Sequence, residues 1–359
     1  MILLQRATFG TPRVTSATPA GLRPQPRVAV LSYPGNNARD LRNPNGVVAS
    51  AQGCCTRVRL MQRTAIDHDP PWQKPHLLEA SEMETSEDAK ARSARTYNSA
   101  SDYYDDPANS FWQRFGRRTI ERLALTPGAR ILDVCCGSGA SAIPAAETVG
   151  SAGFVLGVDL AENLLALARA KAQHRGFKHV EFRVGDMLNL GLPDSEFDAV
   201  VCVFGIFFVP DMHAAVRELW RLVAPGGKLA ITTWGPRFFE PANTTFWDSV
   251  RDLRPDLYKD FNPWDRVCDP ESVRSVFAGA GVNAQDVVLE AGTHVLPSPE
   301  DWWAMVLGSG YRATVDQLDA GDREQVRRKA LEYIRESGTR EVEANVIYGV
   351  ATKLRLYGR

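Results

Sequence analysis

The sequence predicts an α/β fold in which helices cover both faces of a doubly wound, mostly parallel sheet. Between residues 129 and 234, short apolar segments alternate with helix-like segments, a pattern typical of parallel strands joined by crossover helices. Most of the apolar segments have few polar positions, as expected of strands that are buried on both faces. The five segments are ARILDV, FVLGVD, HVEFRV, FDAVVCVF and KLAITTW.

Helices and later elements are predicted from apolar residues at helical spacing and from Gly or Pro at the ends. Two further strand-like segments follow Trp234 and bring the sheet to seven strands, and the remaining segments supply helical lid insertions. The predicted helices are 108–124 (ended by Pro127-Gly128), a helix with Pro144 near its start, 162–175 (ended by Gly176), 211–223 (ended by Pro225-Gly226-Gly227) and 270–280. A helical stretch covers about 299–337, an aromatic-rich insertion covers 238–264, and the late strands are 285–291 and 344–354.

The first 82 residues differ in composition from the rest and are predicted to be a disordered extension. Residues 1–80 contain ten Lys or Arg and four Asp or Glu, with no lasting apolar period, so they offer little surface to bury against their ordering entropy. They are a tail or linker, a targeting peptide, or upstream sequence included by a wrongly placed start with Met83 as the real one; we favour the third. Residues 83–359 are predicted to form one domain, with a ligand-binding core at 95–236 and with an insertion, lid elements and the last strands at 237–359.

Composition excludes several classes of protein. A net charge of −1 gives no case for nucleic acid as the main partner, and no run of about 18 apolar residues spans a bilayer. The six cysteines form no CxxC pair and have no histidine at zinc-ligand spacing, so no metal site is predicted. Reduced, partly buried thiols are typical of a cytoplasmic enzyme. Oligomeric state stays open.

The central motif is ILDVCCGSGASA at 131–142. Asp133 ends the first strand, and Gly137 and Gly139 form the turn into a helix, where glycine lets a backbone approach a nucleotide-like ligand closely. Open α/β sheets bind ligands at this carboxyl edge. Asp159 ends the second strand, 26 residues after Asp133, where a carboxylate can accept hydrogen bonds from both hydroxyls of a ribose.

The same loop also fits an NAD(P)-dependent oxidoreductase. Gly137-x-Gly139-x-x-Ala142, with Asp159 about 20 residues beyond, matches the dinucleotide fingerprint. Three features disfavour this alternative: Asp133 lies inside the strand end and Cys135 occupies the first glycine position, a Gly-Asp-Met triplet (185–187) follows the third strand, and PGGKLAI introduces the fifth strand.

With these motifs, residues 95–236 resemble the class I S-adenosylmethionine (SAM)-dependent methyltransferases, in particular those of ubiquinone and menaquinone biosynthesis and their small-molecule relatives. LDVCCGSG matches the family's first motif, with Cys135 in place of a glycine. The resemblance implies a Rossmann-like fold, SAM as cofactor and a small-molecule acceptor. The cofactor-binding residues that it implies are Asp133, Cys135, Gly137, Ser138 and Gly139 at the methionine end, Asp159 and Leu160 at the ribose, Asp186 and Met187 at the adenine, Cys202 and Phe204 near the methionyl amine, and Tyr104, which with Tyr97 lies in a lid segment.

No catalytic residue is identified. Many relatives have a His pair where this chain has Phe207 and Phe208, so no histidine base carries over. A sulfonium methyl is already activated, and alignment alone contributes up to ~7–11 kcal/mol. The absence of a base favours an acceptor that is already nucleophilic, such as an amine, a thiol or a stabilised enolate. A SAM-binding protein without enzymatic activity is the third hypothesis.

Four aromatic segments are predicted to form the acceptor pocket. They contain Tyr97 to Tyr104, Phe204 to Phe208, Phe238 to Trp264, and Trp302 to Tyr311. Aromatic walls with few fixed charges suit an apolar or aromatic acceptor in a site that excludes water. In the alternative, these rings pack the C-terminal helices onto the sheet.

Overall fold

A computed structural model describes residues 86–355; the predicted extension at 1–82 lies outside the described residues. Seven strands form one sheet in the order β3-β2-β1-β4-β5-β9-β6, and β7 and β8 pair separately. The strands are β1 Arg130–Val134, β2 Phe154–Asp159, β3 Val180–Val184, β4 Phe197–Val203, β5 Val223–Trp234, β6 Asp286–Glu290, β7 Thr293–Val295, β8 Glu341–Glu343 and β9 Val346–Thr352.

Strand directions confirm the predicted fold class. Strands β1 to β5 pair in parallel, and β9 runs antiparallel between β5 and β6. Because these strands are parallel, the carboxyl ends of β1, β2 and β4 lie at one edge of the sheet. The strand order reverses between β1 and β4. In a doubly wound sheet, this switch point is where ligands bind.

The helices flank the sheet and continue into the C-terminal half. The predicted helix at 108–124 begins at Phe111, after a short 3₁₀ helix at Pro107–Asn109, and ends before Ala124, which has a left-handed φ of 47°. The helices are α1 Ser86–Tyr104, α2 Phe111–Leu123, α3 Ala142–Val149, α4 Glu162–His174, α5 Met212–Leu222, α6 Ala242–Leu253, α7 Pro270–Gly279, α8 Pro299–Leu307, α9 Arg312–Val315 and α10 Ala320–Ser337.

One predicted turn is wrong. Pro225-Gly226-Gly227 was expected to separate a helix from a strand beginning at Lys228, but β5 already begins at Val223. Val223 pairs with Phe197 and Lys228 with Ala199, so the register against β4 shifts across this segment. A bulge of this kind lets Pro and Gly remain within a strand by removing ladder positions that they would fill poorly.

Apolar side chains alternate between the two faces of the sheet. Ile131 and Val201 belong to a small cluster with α2 and α3, whereas Leu132 and Val200 face a larger cluster that contains most of the buried aromatic rings. Strand side chains point alternately to opposite faces, so adjacent residues on one strand contribute to different clusters. The larger cluster extends under the carboxyl edge and supports the site.

Helix α1 lies over this edge and is attached at several points. The backbone N–H of Asn163, in α4, donates to Asn98 Oδ1 at 2.9 Å, and Asn163 Nδ2 donates to the Asn98 carbonyl at 3.1 Å. Near the other end of α1, Asp102 pairs with Arg312 at 3.0 Å. In residues 86–355, no helix is long and apolar enough to cross a membrane.

Candidate functional site

The loop between β1 and α3 has the tight turns that its glycines predict. Gly137 and Gly139 have φ values of 52° and 85°, which residues with a Cβ rarely adopt. A Cβ added to Gly137 would lie 2.9 Å from Tyr104 Oη, so the lid helix and the loop are in close contact there. Cys135 has a φ of 58° without being glycine, a conformation that costs on the order of 1–3 kcal/mol.

Asp159 joins the ends of β1 and β2. Its Oδ2 accepts from the Gly137 backbone N–H at 2.8 Å, and its Oδ1 accepts from the Ala161 N–H at 2.9 Å. Burial raises the pKa of this carboxyl, although the backbone donors oppose the rise. Since each carboxylate oxygen has two lone pairs, both oxygens retain an acceptor position for a ligand.

Asp133 has a different environment. Its side chain is 1% exposed, and Ser141 Oγ donates to its Oδ2 at 2.7 Å. Burial raises the pKa of Asp133 to about 7. Its Oδ1 is buried without a hydrogen-bond partner among the described residues. The carboxyl is enclosed beneath the loop, where it accepts a hydrogen bond from the residue that directly precedes α3.

A cleft opens between this loop, the ends of β2 to β4 and helix α1, with about 780 Å³ of empty space that is partly open to solvent. The residues that line it are Lys90, Ser93, Ala94, Tyr97, Tyr104, Trp112, Val134, Cys135, Gly137, Asp159, Leu160, Leu164, Gly185, Asp186, Met187, Val203, Phe204, Phe208 and Val209.

Rings from three elements form the apolar wall of the cleft. Tyr97 lies edge-on to Tyr104 and to Phe208, with ring centroids 6.2 and 5.7 Å apart. Tyr104 stacks on Trp112 at 5.2 Å. Burial raises the pKa of both tyrosines well above neutrality, so their hydroxyls stay protonated and are poor general bases.

An ion pair joins α1 to the turn after β3. Lys90 Nζ lies 2.6 Å from Asp186 Oδ2 and 2.9 Å from a Glu87 oxygen, while Asp186 Oδ1 accepts from the Leu188 backbone N–H at 2.9 Å. The two carboxylates raise the pKa of Lys90. Sequence reasoning missed Lys90, because nothing local links it to a residue 96 positions later.

The structure brings most of the predicted cofactor residues together. Eight line the cleft: Tyr104, Cys135, Gly137, Asp159, Leu160, Asp186, Met187 and Phe204. Four do not line it: Asp133, Ser138, Gly139 and Cys202. Their assignment as cofactor-binding residues stays a prediction for all twelve.

Ser138 instead belongs to a polar cluster behind the loop. Its hydroxyl donates to Asp105 Oδ1 at 2.7 Å and accepts from Lys171 Nζ at 2.8 Å. Lys171 also pairs with Asp105 at 2.6 Å. This cluster attaches the loop to the segment after α1 and to α4, so Ser138 fixes the loop's position from behind.

A second cavity adjoins the cleft, with about 1290 Å³ of empty space that includes open solvent. The two share Ser93, Tyr97, Phe208 and Val209. The remaining residues that line the cavity are Ala89, Arg92, Thr96, Phe207, Pro210, Trp247, Lys259, Phe261, Asn262, Pro263, Trp264, Arg266, Gly310, Tyr311 and Ala313. No histidine is among the described residues that line either space.

Both expectations for the aromatic segments hold in part. Phe239, Phe246 and Trp302 are fully buried in the core, as in the packing alternative. Trp247, Trp264 and Tyr311 line the second cavity together with Tyr97 and Phe208, so all four segments contribute to it. The expectation of few fixed charges is wrong, because Arg92, Lys259 and Arg266 also line the cavity.

The sheet order, the glycine loop and the acid at the end of β2 define a doubly wound nucleotide-binding fold. Within it, residues 131–227 match the family described as "Methyltransferase domain". The predicted resemblance to class I SAM-dependent methyltransferases is confirmed by this match, and the oxidoreductase alternative is disfavoured.

Curated relatives are also methyltransferases. The chain is 37% identical over 139 residues to a demethylmenaquinone methyltransferase of Anoxybacillus flavithermus, covering 38% of this chain and 59% of that protein. It is 33% identical over 144 residues to an aklanonic acid methyltransferase of Streptomyces sp. (strain C5), covering 40% and 66%. The similarity therefore spans less than two thirds of each relative.

Among solved structures, a SAM-dependent methyltransferase from Aquifex aeolicus is 23% identical to this chain, with a TM-score of 0.43 and coverage of 53% of this chain and 91% of that one. At this level of likeness the sheet order itself, rather than the superposition, defines the fold.

Proposed function

We propose that this protein transfers a methyl group from SAM to a small-molecule acceptor. One observation carries the proposal: within the segment that matches methyltransferases, the glycine loop, Asp159 and Asp186 line a single cleft at the carboxyl edge of the sheet. The acceptors in the relatives' names, demethylmenaquinone and aklanonic acid, support a small organic acceptor.

The donor set of the cleft fits SAM. Asp159 retains lone pairs for the two ribose hydroxyls, and Asp186 with Met187 offers a carboxylate and an apolar surface for the adenine. Cys135, Gly137 and Phe204 would hold the methionine end. A cleft with acids at two positions, a lysine paired with one of them and mostly apolar walls elsewhere matches a ligand with a sugar, a purine and a cationic centre.

When bound, SAM supplies a methyl group that is already activated on a sulfonium. The chain's own contribution is alignment and exclusion of water, and Tyr97, Tyr104 and Phe208 provide the apolar cover for both. Because the tyrosine hydroxyls stay protonated, the site favours an acceptor that is nucleophilic without deprotonation by the enzyme. A cytoplasmic location belongs to the same proposal and rests on composition.

A thermal-shift comparison tests the proposal. SAM or S-adenosylhomocysteine should raise the melting temperature of the full chain, since a ligand at a hundredfold excess over its Kd stabilises the folded state by about 2.7 kcal/mol. NADH and NADPH should leave it unchanged. A shift with a nicotinamide cofactor and none with SAM would contradict the proposal.

Binding without catalysis is distinguished by turnover. Release of S-adenosylhomocysteine from SAM in the presence of a panel of small aromatic amines, thiols and enolisable ketones should exceed the rate without acceptor. If SAM binds and no acceptor in a broad panel gives turnover, the non-enzymatic hypothesis gains support.

A further inference from the structure

The second cavity directly adjoins the cleft. It shares Tyr97 and Phe208 with the cleft, and these two rings contact each other edge to face. The two spaces therefore meet at this pair of rings. This position makes the chemistry of the cavity walls informative about the acceptor.

Flat apolar surfaces form much of these walls. Trp247, Trp264 and Tyr311 are at most 8% exposed and yet line the cavity. Phe261 is 53% exposed and lines the same cavity. Aromatic side chains offer large contact areas and prefer stacked or edge-to-face neighbours, so a ring system fits these walls well.

The charged residues in the walls are all of one sign. Arg92, Lys259 and Arg266 line the cavity, and no Asp or Glu is among the described residues that line it. The whole chain has a net charge of −1, so this local concentration of positive charge is not a reflection of overall composition. A low-dielectric wall around it strengthens attraction for an anion.

Lys259 has no carboxylate within ion-pairing distance in the described part of the chain. Its ammonium lies 5.9 Å from the centre of the Trp247 ring, and its side chain is half-buried. Burial, followed by repulsion from Arg92, lowers the pKa of Lys259. A half-buried ammonium without an acid beside it is unfavourable unless a ligand supplies the negative charge.

Arg266 is held in place and keeps donors available. Its Nη2 donates to the carbonyls of Val209 and Pro210, at 3.0 and 3.3 Å. Within 86–355 no carboxylate pairs with its guanidinium, and burial lowers its pKa. A guanidinium has five N–H donors, so those on the other nitrogens remain for a ligand. Because Val209 lines both the cleft and the cavity, Arg266 is held at the boundary between the two spaces.

We propose that the acceptor of this enzyme is an aromatic acid, whose anionic group is bound by Lys259 and Arg266 while its ring packs against the wall formed by Trp247, Trp264 and Tyr311. This inference rests on the proposed methyltransferase function and specifies its substrate class. It adds an anionic group to the apolar or aromatic acceptor that the sequence predicts.

Calorimetry with a matched pair of probes tests the inference on the full chain saturated with S-adenosylhomocysteine. 2-Naphthoate carries the anion, and 2-naphthamide has the same ring without the charge. The naphthoate should bind at least about tenfold more tightly, as expected for loss of a charge-assisted hydrogen bond. Its affinity should also fall with added salt, whereas that of the amide should not.

Substitutions at Lys259 assign the effect to the cavity. Lys259→Met removes the charge and keeps much of the stem, and it should reduce the preference for naphthoate several-fold because only Arg266 then binds the anion; Lys259→Arg should retain the full preference. Lys178→Met is the matched control, since Lys178 is exposed and lines neither space. Quenching of tryptophan fluorescence from Trp247 and Trp264 provides a second readout.

Equal affinities for the two probes, or an unchanged preference in Lys259→Met, would overturn the inference. In either case, binding of S-adenosylhomocysteine to the same sample leaves the methyltransferase proposal standing. If S-adenosylhomocysteine itself does not bind, the proposed function fails first. The two failures are therefore distinguishable in one set of titrations.

Discussion

At the residue scale, the carboxylates that end β1 and β2 have different tasks. Asp159 lines the cleft and accepts backbone hydrogen bonds from both strand ends, whereas Asp133 is enclosed beneath the loop. The sequence identified both as candidate ligand-binding acids from their positions alone. It could not separate them, because strand-end spacing does not say which side chain points toward the cleft.

Replacement of Asp159 by Ala should weaken binding of S-adenosylhomocysteine at least tenfold. Hydrogen bonds to a charged group are worth about 1.5–3 kcal/mol each, and the substitution also releases the Gly137 N–H. Calorimetry measures the affinity, and circular dichroism checks that the fold survives. The Asp159→Asn variant keeps the size and one acceptor oxygen, so its affinity should lie between those of the wild type and Asp159→Ala. Unchanged affinity in Asp159→Ala would mean that Asp159 only supports the start of a helix.

Asp133 gives a prediction on pH. Its pKa rises from 3.8 unfolded to about 7 folded, so between these values the folded state binds the extra proton. The free energy of unfolding then decreases by roughly 1.4 kcal/mol per pH unit at most as the pH rises from 4 to 7, and this contribution stays constant above pH 7. Urea unfolding at several pH values should show this slope in the wild type relative to Asp133→Asn. Parallel pH profiles for the two proteins would disprove it.

At the scale of elements, all seven strands of the sheet are visible in the sequence because each is a short apolar segment bounded by turn residues. The β7–β8 pair is not, since strands of three residues separated by 45 positions carry no local pattern. The bulge in β5 was missed for a related reason: only the register against β4 shows that Pro225 to Gly227 remain in the strand.

The role of helix α1 is indicated in the sequence only by the resemblance of 97–105 to a lid segment. Lys90→Met removes its ion pair with Asp186, and we expect a several-fold loss of S-adenosylhomocysteine affinity and faster proteolysis within α1. Global stability should change by less than about 1 kcal/mol, because the pair is partly exposed. Lys329→Met is the control: Lys329 also pairs with an acid, Asp252, at 3.1 Å, but lies away from the cleft. Equal protease sensitivity in both variants would contradict the role assigned to Lys90.

At the scale of the whole molecule, composition argues against nucleic-acid binding and a membrane span, but it does not indicate the charge of the cavity. A net charge near zero conceals three cations that line one space. These residues come from α1 and from the segment after α6, which are more than 150 positions apart. Their meeting is a product of the tertiary fold, so no reading of spacing could have placed them together.

Helix α1 also has a consequence for the time course of turnover. It lines the cleft through Lys90 and Tyr104, the cavity through Arg92 and Thr96, and both through Tyr97. Because α1 lines both spaces, a displacement of this one helix would widen both at once, and we expect the release of the two products to be coupled. If the protein is a methyltransferase as proposed, we expect product release to follow a single opening step and to be slower than methyl transfer. Rapid-quench experiments should show a burst of methylated product equal to the enzyme concentration, followed by a slower steady rate that falls with solvent viscosity; a linear time course from the first turnover would exclude this coupling.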